Sequence, residues 1–291
     1  GASHYDPRGF MCVSRAPGDE AEEYREGLES GNYPFELLRA QAAVERWPFL
    51  EAGTFRYAFF SPEGGALHCR LIAEELAEWL RTNGAELRPH SRVVRVNSAK
   101  ASATLDDGTV LSADRIVVAA GAWVLKLFPG LADRLTPYRT AVVYLEPPAG
   151  LAEAWANAPV ILDVGGKTDG YIIPPSGSGG LKFGSGLHKV ASADADARRA
   201  PEPGEGEAIR DLFSPPIARV DEYRVKDVRS CVYTFTSDEC FFGKEIGRAV
   251  VVSACSGHGY KFGAAVGRRV AGAIESGDID TLVKWLRAEA V

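Results

Sequence analysis

The residues best able to do chemistry lie near the C-terminus, in the run Ser256-Gly257-His258-Gly259-Tyr260-Lys261-Phe262. The β-branched stretch from Val250 to Val252, running on through Ser253 and Ala254, reads as a buried strand. Phe262, Val266, Val270 and Ile274, spaced four apart, read as one face of a following helix. A strand, a glycine turn and a helix start together offer unpaired backbone N–H groups and the positive end of a dipole. Gly257 and Gly259 would let a flat or anionic ligand come close to the main chain. Lys261 would fall in the first helical turn, where a cation opposes the dipole. Its charge is therefore expected to serve something other than helix stability. Read plainly, the same residues are an ordinary strand–turn–helix with a solvated lysine, and residue types alone leave the two readings level.

Three other side chains carry chemistry by type. Cys231 opens Cys231-Val232-Tyr233-Thr234, a strand in which the two-residue period puts Tyr233 on the face of the sulfur. Cys231 reads either as a small buried thiol or as a nucleophile, which needs a nearby positive field. Tyr171, in Gly170-Tyr171-Ile172-Ile173-Pro174, precedes Lys182 and reads either as a sheet aromatic or as a site residue. His258 either orients its turn or hydrogen-bonds a ligand.

The elements that must hold these residues follow from periodicity. Residues 19–30 are acidic and helix-prone, and their charges read as a solvated face. Leu37 to Trp47 repeats at helical spacing and stops at Pro48. Phe55 to Phe60 is strand-like. Leu67 to Thr82 is an amphipathic helix with Ile72, Leu76 and Trp79 on one face, ended by Asn83-Gly84. Short strands follow: residues 86–88 leading to 92–96, then 102–105 and, after an Asp106-Asp107-Gly108 turn, 109–111. Residues 115–120 form a buried strand closing on Gly121-Ala122-Trp123. From residue 135 to about 229, strand-like runs at 140–145, 160–163, 171–173 and 181–184 alternate with Pro/Gly/Ser turns. That pattern predicts an antiparallel sheet. A helix is expected over 205–213, and strands over 221–227 and 230–235.

The composition excludes several classes. A chain of 291 residues, 46% hydrophobic, suits one or two globular domains. The formal net charge is −6 and no long Lys/Arg run occurs, which argues against nucleic acid and anionic membrane as partners. No apolar run reaches transmembrane length. Five cysteines without CxxC spacing argue against a zinc site and for a reducing, cytoplasmic setting. No metal site is expected. The chain opens on Gly1-Ala2-Ser3-His4 rather than Met, which reads as vector-derived and suggests a processed piece or a subunit.

Three blocks, in order, resemble a known family: the unit closing on Ala119-Ala120-Gly121-Ala122-Trp123, the Cys231-Val232-Tyr233-Thr234 strand, and Ser256 to Phe262. Together they resemble the FAD-dependent amine oxidases of the monomeric sarcosine oxidase type, within the D-amino acid oxidase superfamily. The resemblance runs from roughly Gly9 to Ile274. It implies FAD as cofactor, a small amine or amino acid as substrate, and molecular oxygen as the final acceptor. The family opens with a strand, a GxGxxG turn and a helix that hold the FAD pyrophosphate, and this sequence has no such segment. The fold expected is therefore α/β plus α+β: an incomplete Rossmann-like FAD-binding domain lacking its first βαβ, and a substrate domain with a mixed or antiparallel sheet. Residues 62–134 and 246–291 are assigned to the former, residues 5–61 and 135–245 to the latter.

By the same resemblance Cys231 matches a cysteine that forms a thioether to the flavin, and Lys261 a lysine near the substrate carboxylate and the ring. Tyr171, Tyr233 and His258 would line the site. Gly257 and Gly259 would admit the pyrimidine edge of the flavin, and Val93 and Gly121 would contact the adenine and pyrophosphate regions. Cys231 and Lys261 are expected to face one isoalloxazine ring. The activity implied is hydride transfer from an amine to flavin, then reoxidation by oxygen to give an imine and hydrogen peroxide. A separate polypeptide carrying the nucleotide-binding segment is one expectation. The alternative is a non-redox binding or scaffolding subunit that has lost that half.

Overall fold

The computed structural model describes residues 3–253 and 255–290. Gly1, Ala2 and Ala254, which the sequence reading uses, lie outside them. The chain divides into two compact units. The first holds residues up to Trp79, Thr140–Lys189 and Arg198–Cys231; the second holds Leu80–Arg139, Val190–Ala197 and residues from Val232 on.

The first unit is built on a mixed sheet in the order Thr136–Glu146, Leu181–Ser185, Gly170–Ile173, Val160–Asp163, Phe10–Ser14, Tyr57–Ser61, Glu36–Arg39. All neighbours are antiparallel except Phe10–Ser14 beside Val160–Asp163. Period-two alternation gives the sheet two different faces. Val143, Leu145, Ile172, Leu181 and Phe183 point into one hydrophobic core with Trp47, Phe49, Trp155, Phe213 and Tyr223. Phe49 stacks on Trp155 at 3.8 Å, and the Trp155 indole N–H donates to the Tyr223 hydroxyl at 2.8 Å, so these two buried polar groups satisfy each other. The residues between these, Tyr171, Ile173, Lys182 and Gly184, belong to the other face.

The second unit contains the sheet Phe242–Ile246, Ala249–Ser253, Ile116–Val118, in that order, and the meander Val93–Asn97, Ser102–Leu105, Val110–Ser112. Ala249–Ser253 runs parallel to Ile116–Val118 and is buried throughout. Helix Gly263–Ser276 lays Val266, Val270 and Ala273 on Val250 and Val252, joined by Leu282 and Leu286 of Ile279–Leu286. This is a mixed α/β architecture without a closed barrel, as the sequence predicts. No helix among the described residues is long and apolar enough to cross a membrane.

Several local expectations change. The run 37–47 is a strand, Glu36–Arg39, followed by the helix Ala40–Arg46, because pairing with Tyr57–Ser61 overrides the helical spacing. Residues 86–88 form no strand. Residues 221–235 contain a single strand, Arg224–Phe235. Helix Cys69–Thr82 carries its apolar stripe outward: none of its residues is buried, and Leu76 and Trp79 are 53% and 60% exposed.

Candidate functional site

In the first unit the sheet face opposite the core carries Tyr171 and Lys182, and the Cys231 thiol lies close enough to act on both. Tyr171 pairs with Gly184, Ile173 with Lys182, and Lys182 with Tyr144 on the next strand, so all five share one face. The Lys182 ammonium lies 5.4 Å from the centroid of the Tyr171 ring, a cation–π contact. Burial pushes the Lys182 amine below its ordinary value, against the opposing influence of the Cys69 and Cys231 thiols nearby. Burial, helped by Cys231 and Tyr144, pushes the Tyr171 phenol up to about 12. Tyr171 is therefore a neutral hydrogen-bond donor at any physiological pH, and Lys182 is a desolvated cation.

Gly184 makes this packing possible. A Cβ there would stand 2.6 to 2.7 Å from the Tyr171 ring and hydroxyl. Gly184→Ala should displace Tyr171 and cost roughly 1–3 kcal/mol in overpacking. Chemical denaturation and the near-ultraviolet tyrosine signal would both report it; an unchanged signal would mean that the ring has room to spare.

In the second unit the Gly-rich turn is also built as a site. The parallel strands Ala249–Ser253 and Ile116–Val118 end side by side, one leading to Gly257 and the other to Gly121. Gly257 is left-handed (φ +76°), and a Cβ there would meet Phe235 at 3.1 Å. Gly121 is left-handed too (φ +53°), with nothing within 4 Å of a Cβ position. Open backbone at the carboxyl ends of adjacent parallel strands is where α/β sheets bind nucleotides. Gly259, at φ −72°, is buried in a right-handed conformation that does not require glycine. Val93 begins a strand that lines, with Arg92, Val117 and Trp123, a cleft of about 500 Å³.

His258 stacks on Phe241 at 5.3 Å, and its Nδ1 sits 2.8 Å from the Ser256 carbonyl oxygen. A carbonyl only accepts, so Nδ1 carries the proton and the ring is fixed by its own turn. Lys261 is exposed in a short turn, Tyr260–Phe262, ahead of helix Gly263–Ser276 rather than inside its first turn. Its ammonium lies 5.6 Å from the Phe262 ring centroid. Tyr233 is half-buried, two residues beyond Cys231 in the same strand. Thus Tyr171 and Cys231 come together in the first unit, and Gly257, Gly259, His258 and Lys261 in one turn of the second. Lys182 was visible in the sequence only through its spacing from Tyr171.

Residues 2–273 match the family model for FAD dependent oxidoreductases (DAO). The chain belongs to this family. FAD is the family's cofactor, and the two glycine turns at the strand ends fit a dinucleotide approached along its backbone. Monomeric sarcosine oxidase of Bacillus sp. (strain B-0618) is 27% identical over 255 residues, covering 84% of this chain and 65% of that protein. N-methyl-L-tryptophan oxidase of Yersinia pestis (strain Pestoides F) is 28% identical over 240 residues, covering 80% and 63%. The fold is also that of the deglycating fructosamine oxidase of Aspergillus fumigatus (Amadoriase II), with a TM-score of 0.77 at 18% identity, over 98% of this chain and 70% of that one. The chain thus spans about two thirds of the length of the curated relatives it matches.

Proposed function

We propose that the protein is the larger part of an FAD-dependent oxidase acting on a primary or secondary amine or amino acid. The carrying observation is the half-buried cluster of Lys182 and Tyr171 on the sheet face opposite the core, with the Cys231 thiol close enough to act on both. Bound FAD would accept hydride from the amine-bearing carbon and pass the electrons to oxygen, giving an imine and hydrogen peroxide. The chain's own residues supply charge and position. Lys182 holds a positive charge in a water-poor setting, where it favours anionic character in whatever lies beside it. Tyr171 stays protonated and can donate one hydrogen bond. Cys231 offers a sulfur beside that cation, in place for the thioether assigned to it. Lys261, with Tyr233 and His258, is assigned to the substrate carboxylate and the pocket wall. Gly257, Gly259, Val93 and Gly121 are assigned to FAD.

In this reading residues 62–134 and 246–291 serve the nucleotide and the remainder serves the substrate. A polypeptide carrying the rest of the nucleotide site would complete the enzyme. The protein purified from its native source, with whatever accompanies it, should be yellow, and the colour should survive acid precipitation. A colourless preparation that takes up no added FAD would leave the non-redox binding subunit instead. Cys231→Ala should release the flavin entirely into the acid supernatant. Flavin still bound to the precipitate would remove Cys231 from its role.

A further inference from the structure

Residues 174–180, Pro-Pro-Ser-Gly-Ser-Gly-Gly, join the strand bearing Tyr171 to the strand bearing Lys182. Such a loop has little stiffness of its own. Its internal ties are the reciprocal backbone hydrogen bonds between Ser176 and Gly179, at 3.3 and 2.8 Å. What anchors it from outside is the Ser176 hydroxyl. Ser176 Oγ donates to Asp6 Oδ2 at 2.6 Å and lies 2.8 Å from His68 Nε2. Gly177 packs on the same imidazole, with a Cβ position 3.4 Å from the ring.

The proton inventory fixes how this group is held. His68 Nδ1 lies 2.8 Å from the Ser3 carbonyl oxygen, a backbone acceptor that any residue there would supply. Nδ1 must therefore donate. Ser176 has one hydroxyl proton and gives it to Asp6, leaving a lone pair toward Nε2. The Ser176 hydroxyl thus links the His68 ring to the Asp6 carboxylate. Arg8 reaches the same carboxylate oxygen through its Nε at 2.8 Å. Burial acts to raise the Asp6 carboxyl, but the hydrogen bonds from Arg8 and Ser176 and the charges of Arg8 and His68 outweigh it and hold it below the usual range.

His68 is followed at once by Cys69, the first residue of helix Cys69–Thr82 and one of the two thiols close enough to act on Lys182. A single corner of the chain therefore meets the hairpin at two points near its loop: Ser176 within the loop and Lys182 at the start of the second strand. We propose that His68 and Ser176 are positioning residues for Lys182, a hydroxyl-bridged hydrogen-bond link to Asp6 that fixes the loop and keeps water from the ammonium. This rests on the reading of Lys182 as the functional cation.

The test is the pH dependence of Lys182 acylation by trace acetic anhydride, read by peptide mass spectrometry in the full chain. Cys69, Cys231, Tyr171 and Tyr144 are titratable groups around that amine. The unsubstituted protein should show a midpoint below that of ordinary lysines. His68→Leu and Ser176→Ala should raise it by about one unit, a tenfold change in the free-amine fraction. His68→Gln, which keeps a donor to Ser176, should hold it. A fall in thermal stability with the Lys182 midpoint unmoved, or Leu and Gln behaving alike, would overturn the positioning role and leave the proposed function standing. An ordinary midpoint in the unsubstituted protein would instead sink the reading of Lys182 on which both depend.

Discussion

Asp163→Asn is expected to make the protein more stable by up to about 4 kcal/mol above neutral pH, with the gain fading to nearly nothing toward pH 4. Asp163 ends the strand Val160–Asp163 opposite Cys12, and only 4% of it is exposed. Burial raises its carboxyl first, and the negative charges of Glu20, Asp19 and Asp169 add to this; one N–H, from Gly165, works the other way. The outcome is a carboxyl moved from 3.8 to about 7. A raised acid binds its proton more tightly in the folded state than in the unfolded chain. Stability is therefore greatest below the unfolded value, falls as pH climbs through the window between the two, and levels off above about 7. Roughly three units at about 1.4 kcal/mol each set the scale. Asparagine stays neutral throughout, and its amide oxygen still accepts from Gly165. Thermal unfolding at pH 4, 6 and 8 would trace the gain, at about 2–4 °C per kcal/mol for domains of this size. A variant no more stable at pH 8 would mean that the carboxylate is already compensated there.

How far the fold could be read from the sequence depended on where each segment gets its stability. The buried strands near 250 and 116 and the 93–112 meander follow from local pattern, since β-branched runs and a Asp-Gly turn carry their own instructions. Residues 37–39 did not. Their helical spacing is real, but the pairing of Glu36–Arg39 with Tyr57–Ser61 outweighs it, and those partners lie some way off in sequence. Helix Cys69–Thr82 shows another limit. Its apolar stripe predicts a covering surface without saying which chain supplies it, and here Leu76 stands exposed. Helix Ile279–Leu286, which the sequence reading omitted, is short, and it is held by docking Ile279, Leu282 and Leu286 onto the second unit's core rather than by propensity.

The site divides in the same way. The glycine turn was legible because its residue types are unusual for any other purpose, and Gly257 and Gly121 do take the left-handed backbone. Gly259 was grouped with them by adjacency, yet its conformation asks nothing of glycine. The meaning of Lys182 was hidden for a physical reason. Exposure cannot be read from one strand, since Leu-Lys-Phe alternation fits a solvated lysine as well as a buried one. Only the register that places Tyr144 and Ile173 beside it, and Tyr171 over Gly184, takes its ammonium out of water.

Lys182→Met should separate stability from turnover by moving them in opposite directions. The methionine fills similar space with an unbranched apolar chain and carries no charge. Desolvating an ammonium costs the folded state, as the lowered amine value reports, so its removal should leave thermal stability unchanged or higher. In the proposed oxidase reaction, the same charge is a preorganised electrostatic group in a site with little water. Losing one such group typically costs about 10²–10³ in rate. Lys182→Arg restores the charge, but its longer, forked head cannot occupy the slot over the Tyr171 ring, so it should recover little of the loss. An oxygen electrode with saturating amine measures the turnover, and thermal unfolding of the same samples measures the stability. Full turnover in the methionine variant would show that the cation is idle. Lost turnover accompanied by lost stability would make Lys182 a packing residue, and the chemistry would then have to come from Lys261, which lies exposed in the glycine-rich turn of the second unit.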